Sequence, residues 1–261
     1  MARGMTKEEK YRQMIETPVN RLIPRLAVPT IISMLVTSIY NMADTFFVSQ
    51  LSTSASGAVG VMFSAMSMIQ AIGFTLGMGS GNHISRSLGN RDEERAGVFA
   101  ATAFYTAAII GVGILAVGTL FSRQLVFFLG ATETIAPYAQ DYARYILIGA
   151  PFMMTSFVMN NILRSQGNAV FAMVGITVGG ILNMILDPLL IFGLDLGISG
   201  AAIATMVSQI ISFCILLYQC NARPDCIKIQ LSKFHRERCT VKFFTQAFPP
   251  SAARVWQAQQ Q

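Results

Sequence analysis

The chain has 261 residues, of which 53% are hydrophobic and only 12% charged, against about 25% charged in an average soluble domain. With a mean hydropathy of +0.52, this composition excludes an ordinary water-soluble globule. The net charge of +6 does not point to nucleic acid, because its basic residues lie between apolar runs and form no stripe interleaved with aromatics.

The first 25 residues carry six basic and three acidic side chains and lack the apolar core of a signal peptide. They read as an uncleaved cytoplasmic tail. About 20 apolar residues cross a bilayer as a helix, and six segments qualify: roughly 26–49, 57–82, 97–121, 139–162, 169–193 and 200–220. Each is about twice the length of a barrel strand and apolar all round, so the fold class expected is all-α, a six-transmembrane-helix bundle. The domains are then a tail over 1–25, a transmembrane lobe over 26–220 and a basic cytoplasmic end over 221–261.

Lys and Arg orient the bundle. The tail has six, the second loop three (Arg86, Arg91, Arg95), the fourth Arg164, and residues 221–243 after the sixth span another six. The first and fifth connections, QLSTSAS and GLDLGIS, have none. Both termini are therefore expected in the cytoplasm, with the protein multi-pass in the cell's inner (plasma) membrane.

Of 13 acidic residues, only Asp44 and Asp187 fall well within spans, Asp141 and Asp195 lying at span ends. A charge at membrane depth costs roughly 2.5 to 3.5 kcal/mol, so each is expected to face the bundle interior and to serve a function. Asp44 is about five residues from the outer end of span one and Asp187 about six from that of span five, so both lie roughly 8 to 9 Å below the outer surface. Thr205 on span six reaches nearly the same level, and Asn183 shares a helical face with Asp187 one turn away. If these faces converge, two carboxylates, a carboxamide and a hydroxyl meet. Such oxygen donors suit a hard cation, and a close carboxylate pair also holds a proton because like charges repel. The competing reading is plain interhelical hydrogen bonding.

Pro29 removes a backbone hydrogen bond from span one and allows a bend there, and Pro151 and Pro188 carry the same potential. Gly77, Gly79 and Gly81 follow no strand and read as close helix packing, not a phosphate loop. RDEERA reads as a solvated, salt-bridged turn. Four cysteines, Cys214, Cys220, Cys226 and Cys239, contain no CxxC pair and read as unpaired thiols at the cytoplasmic face, with no metal site beyond a Na⁺ at the acid cluster. His83 and His235 match no nucleophile, and HExxH, GxSxG and P-loop motifs are absent, so no enzyme and no cofactor is expected.

Several stretches are similar to the N-terminal lobe of the multidrug and toxic compound extrusion (MATE) family. They are NRLIPRLAVPTIISMLVTSIYNMADTFFVSQL, SRSLGNRDEERAG, FFLGATETIAPYAQDYAR, LRSQGN and LNMILDPLLIFGLDLGISGAAIATMVSQ, in order over about residues 20–220. The resemblance implies an antiporter that exports bulky amphipathic or cationic small molecules, driven by inward H⁺ or Na⁺. It places the coupling cation on Asp44, Asn183, Asp187 and Thr205, the helix-bending proline at Pro29, and a cavity-lining aromatic at Tyr40. Membrane lipids are the implied surroundings.

The resemblance also implies twelve helices in two lobes related by an axis along the membrane normal. After residue 243 the chain reads FFTQAFPPSAARVWQAQQQ, in which FPPSAAR resembles the opening of a seventh helix and no further apolar span follows. A truncated product or fragment is expected from this, with a second lobe as the missing partner. A homodimer could rebuild a twelve-helix shape, although the family's two lobes differ in sequence. The alternatives are a non-transporting remnant and half of a related lipid or polysaccharide flippase. The flippase predicts a cationic central cavity, and no basic residue lies well inside a span.

Overall fold

A computed structural model of the protein describes Glu8, residues 16–222 and Cys226. It contains α1 (Val19–Ser49), α2 (Thr53–Gly89), α3 (Glu93–Leu120), the short α4 (Ser122–Phe128), α5 (Ala136–Ser165), α6 (Ala169–Pro188), a π-helical turn (Leu189–Gly193) and α7 (Gly197–Ala222). All but α4 are long and apolar enough to span a membrane, with α6 and its π turn counting as one span. No strand occurs among the described residues, and the expected six-helix all-α bundle is what the chain forms.

The helices outrun the apolar segments that announce them. α1 begins at Val19, seven residues before the expected span, because Pro18, itself outside the helix at φ -55° and ψ 137°, turns its carbonyl to accept from the amides of Arg21 and Leu22. α2 continues to Gly89, which places His83 and Arg86 on a helix and not in a loop. Hydropathy marks only the hydrocarbon-facing part, and a helix continues into water until a residue breaks it. Caps then set the ends: Ser52 Oγ accepts from the Ala55 amide at 3.0 Å, and Asp92 Oδ1 from the Arg95 amide at 2.9 Å. RDEERA is thus the start of α3, with Glu93 and Glu94 in its first turn, where the helix dipole favours acids. α4 went unforeseen because its seven residues lie at the end of an apolar run.

α5 is the central helix, packed against α2, α3 and α7 and mostly buried. Lipid tails are as apolar as side chains, so burial alone gives these helices little reason to associate, and small residues that permit close backbone contact do. On α3 that stripe is Ala96, Ala100, Ala103 and Ala107, all buried. The closest approach is at Gly111, where an added Cβ would stand 2.6 Å from Pro151 Cα. Since backbone cannot swing aside, Gly111→Ala is expected to push α3 off α5 and to cost about 1–3 kcal/mol, read as a lowered thermal unfolding midpoint in detergent. An unchanged midpoint would mean that the α3–α5 contact is softer than its geometry. Gly77 likewise lies against Asn161, with an added Cβ 2.7 Å from Nδ2.

α1 sits at the side of the bundle, mainly against α6. Its buried residues are Pro29, Ser33, Tyr40, Asp44 and Val48, whereas Ile31, Leu35, Ile39, Met42 and Phe46 are exposed. Ser33, Tyr40 and Asp44 therefore face inward while large apolar side chains face outward, the arrangement a lipid solvent favours for a buried acid.

Candidate functional site

The site lies where the inward stripe of α1 meets α5, α6 and α7. Tyr40 and Asp44 are one turn apart on that stripe and both buried. Tyr40 packs against α6 at Gly180, where an added Cβ would meet Val36 Cγ1 at 3.0 Å and Tyr40 Cδ1 at 3.1 Å. A glycine there lets α1 approach closely enough to deliver Asp44.

Asn183 and Asp187 occupy successive turns of α6, and the Asn183 Nδ2 donates to Asp187 Oδ1 at 3.2 Å. The same nitrogen donates to Thr205 Oγ1 on α7, also at 3.2 Å. All three residues are buried, Asp187 completely. Directly after Asp187 the helix meets Pro188 and loosens into the π turn, a distortion often found beside functional residues. Asp44 joins through α5: the Tyr142 hydroxyl donates to Asp44 Oδ2 at 3.4 Å, and Thr205 lies near that hydroxyl.

The structure thus brings together Asp44, Asn183, Asp187 and Thr205, with Tyr40 in the adjoining wall. Pro29 stands apart, roughly four turns from Asp44 on the same stripe. α1 runs through it unbroken. Around it, Thr30, Ser33 and Thr37 hydroxyls donate to the carbonyls of Leu26, Pro29 and Ser33, contacts that favour helix bending.

Two members were not anticipated. Tyr142 donates to Asp44 from α5, and Gln209 of α7 lines the same cavity as Tyr40. Tyr142 lies within a stretch quoted above, but a tyrosine near the outer end of a span ordinarily reads as an interfacial anchor. Gln209 follows Thr205 by one turn on α7 and could have been read from that spacing.

Three buried acceptor oxygens in the cluster have no partner: Asp44 Oδ1, Asn183 Oδ1 and Asp187 Oδ2. Buried polar atoms are nearly always hydrogen-bonded, so these three have chemistry left to do. Oxygen acceptors suit a hard cation or a proton. No group of three or more His, Cys, Asp or Glu side chains that could hold a metal ion occurs among the described residues. Cys214, Cys220 and Cys226 form no disulfide among the described residues, while Cys239 and His235 lie outside the described residues.

Comparison with known proteins gives the arrangement a family. The MatE family model matches residues 29–189. The FAD transporter of Shewanella oneidensis is 34% identical over 78% of this chain and 46% of its own length. The multidrug export protein MepA of Staphylococcus aureus is 28% identical over 88% of this chain and 52% of its own. A solved MOP superfamily transporter from Pyrococcus furiosus superposes with a TM-score of 0.85 at 32% identity, over 97% of this chain and 56% of that one. The chain therefore spans about half the length of the curated relatives it matches. With the family model covering more than half of its residues and its six spanning helices following half of a solved transporter, this multi-pass membrane protein belongs to the MatE family.

Proposed function

We propose that the chain is the ion-coupling lobe of an antiporter that exports amphipathic or cationic small molecules across the cell's inner membrane, driven by inward H⁺ or Na⁺. The observation that carries this reading is the convergence of two buried carboxylates with three unpartnered acceptor oxygens at one depth. The ion sits on Asp44, Asn183, Asp187 and Thr205. A bound cation or proton neutralises the cluster and lets α1 pack against α6, and its loss leaves like charges that push Asp44 and the upper half of α1 away. The bend falls at the hydroxyl-lined segment around Pro29, so ion occupancy changes the lobe's face toward the substrate path. In this reading both ends of the lobe face the cytoplasm, which the excess of Lys and Arg on that side supports.

The test is dye efflux from cells lacking their own pumps, with the chain expressed alone or with a second lobe from a relative, each beside its Asp44→Asn variant. Efflux that needs the second lobe and is lost with Asp44→Asn is the expected result. A second lobe that co-purifies with the chain yet yields no efflux would sink the reading. A second reading of the cargo, an anionic flavin dinucleotide, is favoured by the 34% identity to the FAD transporter. Measuring flavin in the medium of the same cultures separates the two cargoes.

A further inference from the structure

From the acid cluster a small chamber extends toward the side of the membrane that holds the described ends of the bundle. Beyond Asn183 and Thr205 its wall is made by Thr37 of α1, Ser156 of α5, Gly179 and Gly180 of α6, and Ser208 and Ser212 of α7. On each of these four helices the lining residues lie farther from the outer end than that helix's member of the cluster. The chamber offers about 20 Å³ to the centre of a water-sized molecule, room for one water.

That room is polar. Ser156 Oγ, Ser208 Oγ and Asn183 Oδ1 line it, are buried, and have no partner. Their residues are 4%, 2% and 2% exposed. Three partners is the usual complement of a buried water. Ser212 is already committed, donating to the Gly175 carbonyl at 2.9 Å. Farther inward, Met159, Leu163, Ala172, Leu216 and Cys220 form an apolar seal.

The other end of the chamber connects to Asp44 through hydroxyls. Thr205, which lines the chamber, lies near Tyr142, whose hydroxyl donates to Asp44 Oδ2 at 3.4 Å. We infer that Ser208, a chamber water, Thr205 and Tyr142 form a proton wire that loads and unloads Asp44 from within the lobe. In loading, the proton enters at Ser208; each oxygen takes one proton on a lone pair and passes its own along, and Tyr142 delivers the last to Asp44. One proton moves, no hydroxyl keeps a charge, and the hydroxyls must turn back before the next transfer.

This inference rests on the ion-coupling reading of Asp44, and the test keeps the two apart. The full chain in detergent, free of Na⁺, is given a rapid pH drop and the carbonyl stretch of protonated carboxyl is followed by infrared, the Asp44 band being the part absent in Asp44→Asn. Thr205→Val and Ser208→Val are expected to slow its appearance about tenfold, and Thr205→Ser to restore it. Radiolytic hydroxyl labelling should also mark Phe157, which lines the chamber, faster than Phe99, a buried ring that does not line it. Wild-type rates in both valine variants, or Phe157 labelled no faster than Phe99, would overturn the wire while leaving the ion site standing. Absence of any Asp44 band in the parent chain would overturn both.

Discussion

With Na⁺ as the proposed coupling ion, Asp44→Asn is expected to abolish Na⁺ stabilisation of the purified chain while raising its thermal midpoint in Na⁺-free buffer. Asparagine keeps the shape of the side chain and an acceptor for the Tyr142 hydroxyl, but removes the charge that attracts a cation. A unit charge about 4 Å away contributes on the order of 4 kcal/mol at an effective dielectric of 20, so affinity should fall by roughly a thousandfold. Ligand stabilisation grows as the logarithm of concentration over dissociation constant and vanishes when the site no longer fills. The rise in the ion-free midpoint has the opposite origin. A buried carboxylate with one oxygen unpartnered is costly, and a neutral amide removes that cost. A variant that still gains stability from Na⁺ would show that the cation, if held at all, is held elsewhere.

Asn183→Leu should be the most disruptive single change in the cluster. The Asn183 Nδ2 is the shared donor to Asp187 on its own helix and to Thr205 across on α7. Leucine fills a similar volume but leaves Asp187, fully buried, with neither oxygen bonded. A lost hydrogen bond to a charged group costs about 1.5–3 kcal/mol, with a further penalty for the stranded acceptor, so a drop of several degrees in the unfolding midpoint is expected. Adding Asp187→Leu should recover most of it, because replacing both partners by apolar groups is nearly neutral. The double variant would then fold well and bind no cation. Equal stability of Asn183→Leu and the parent would mean that α6 and α7 are held by packing alone, for which Gly179 against Ser212 offers the means, an added Cβ there standing 2.9 Å from Ser212 Cβ.

Both predictions concern residues identified by depth along the chain, and depth is legible because it is local. A helix rises 1.5 Å per residue, so the distance of Asp44, Asp187 and Thr205 from their span ends follows from counting. The number of spans and the bundle class follow equally from apolar runs too long for strands. Span ends did not follow, since helices continue past the hydrocarbon until a cap such as Ser52 or Asp92 intervenes.

Rotation about each helix axis is different in kind, because in lipid it is chosen by packing against neighbours. Only the fold shows that Gly180 seats Tyr40, that Gly111 meets Pro151, and that α5 turns Tyr142 toward Asp44. The chamber depends on four helices at once, and Ser156 and Ser208 look in sequence like the small residues that pack any membrane helix. The sequence by itself determined the class, the spans and the level of each buried acid, all of which depend on spacing along one chain. The tertiary structure decided which faces meet, and with them the acceptors left open at the acid cluster, because that choice is made by close contacts between residues far apart in sequence.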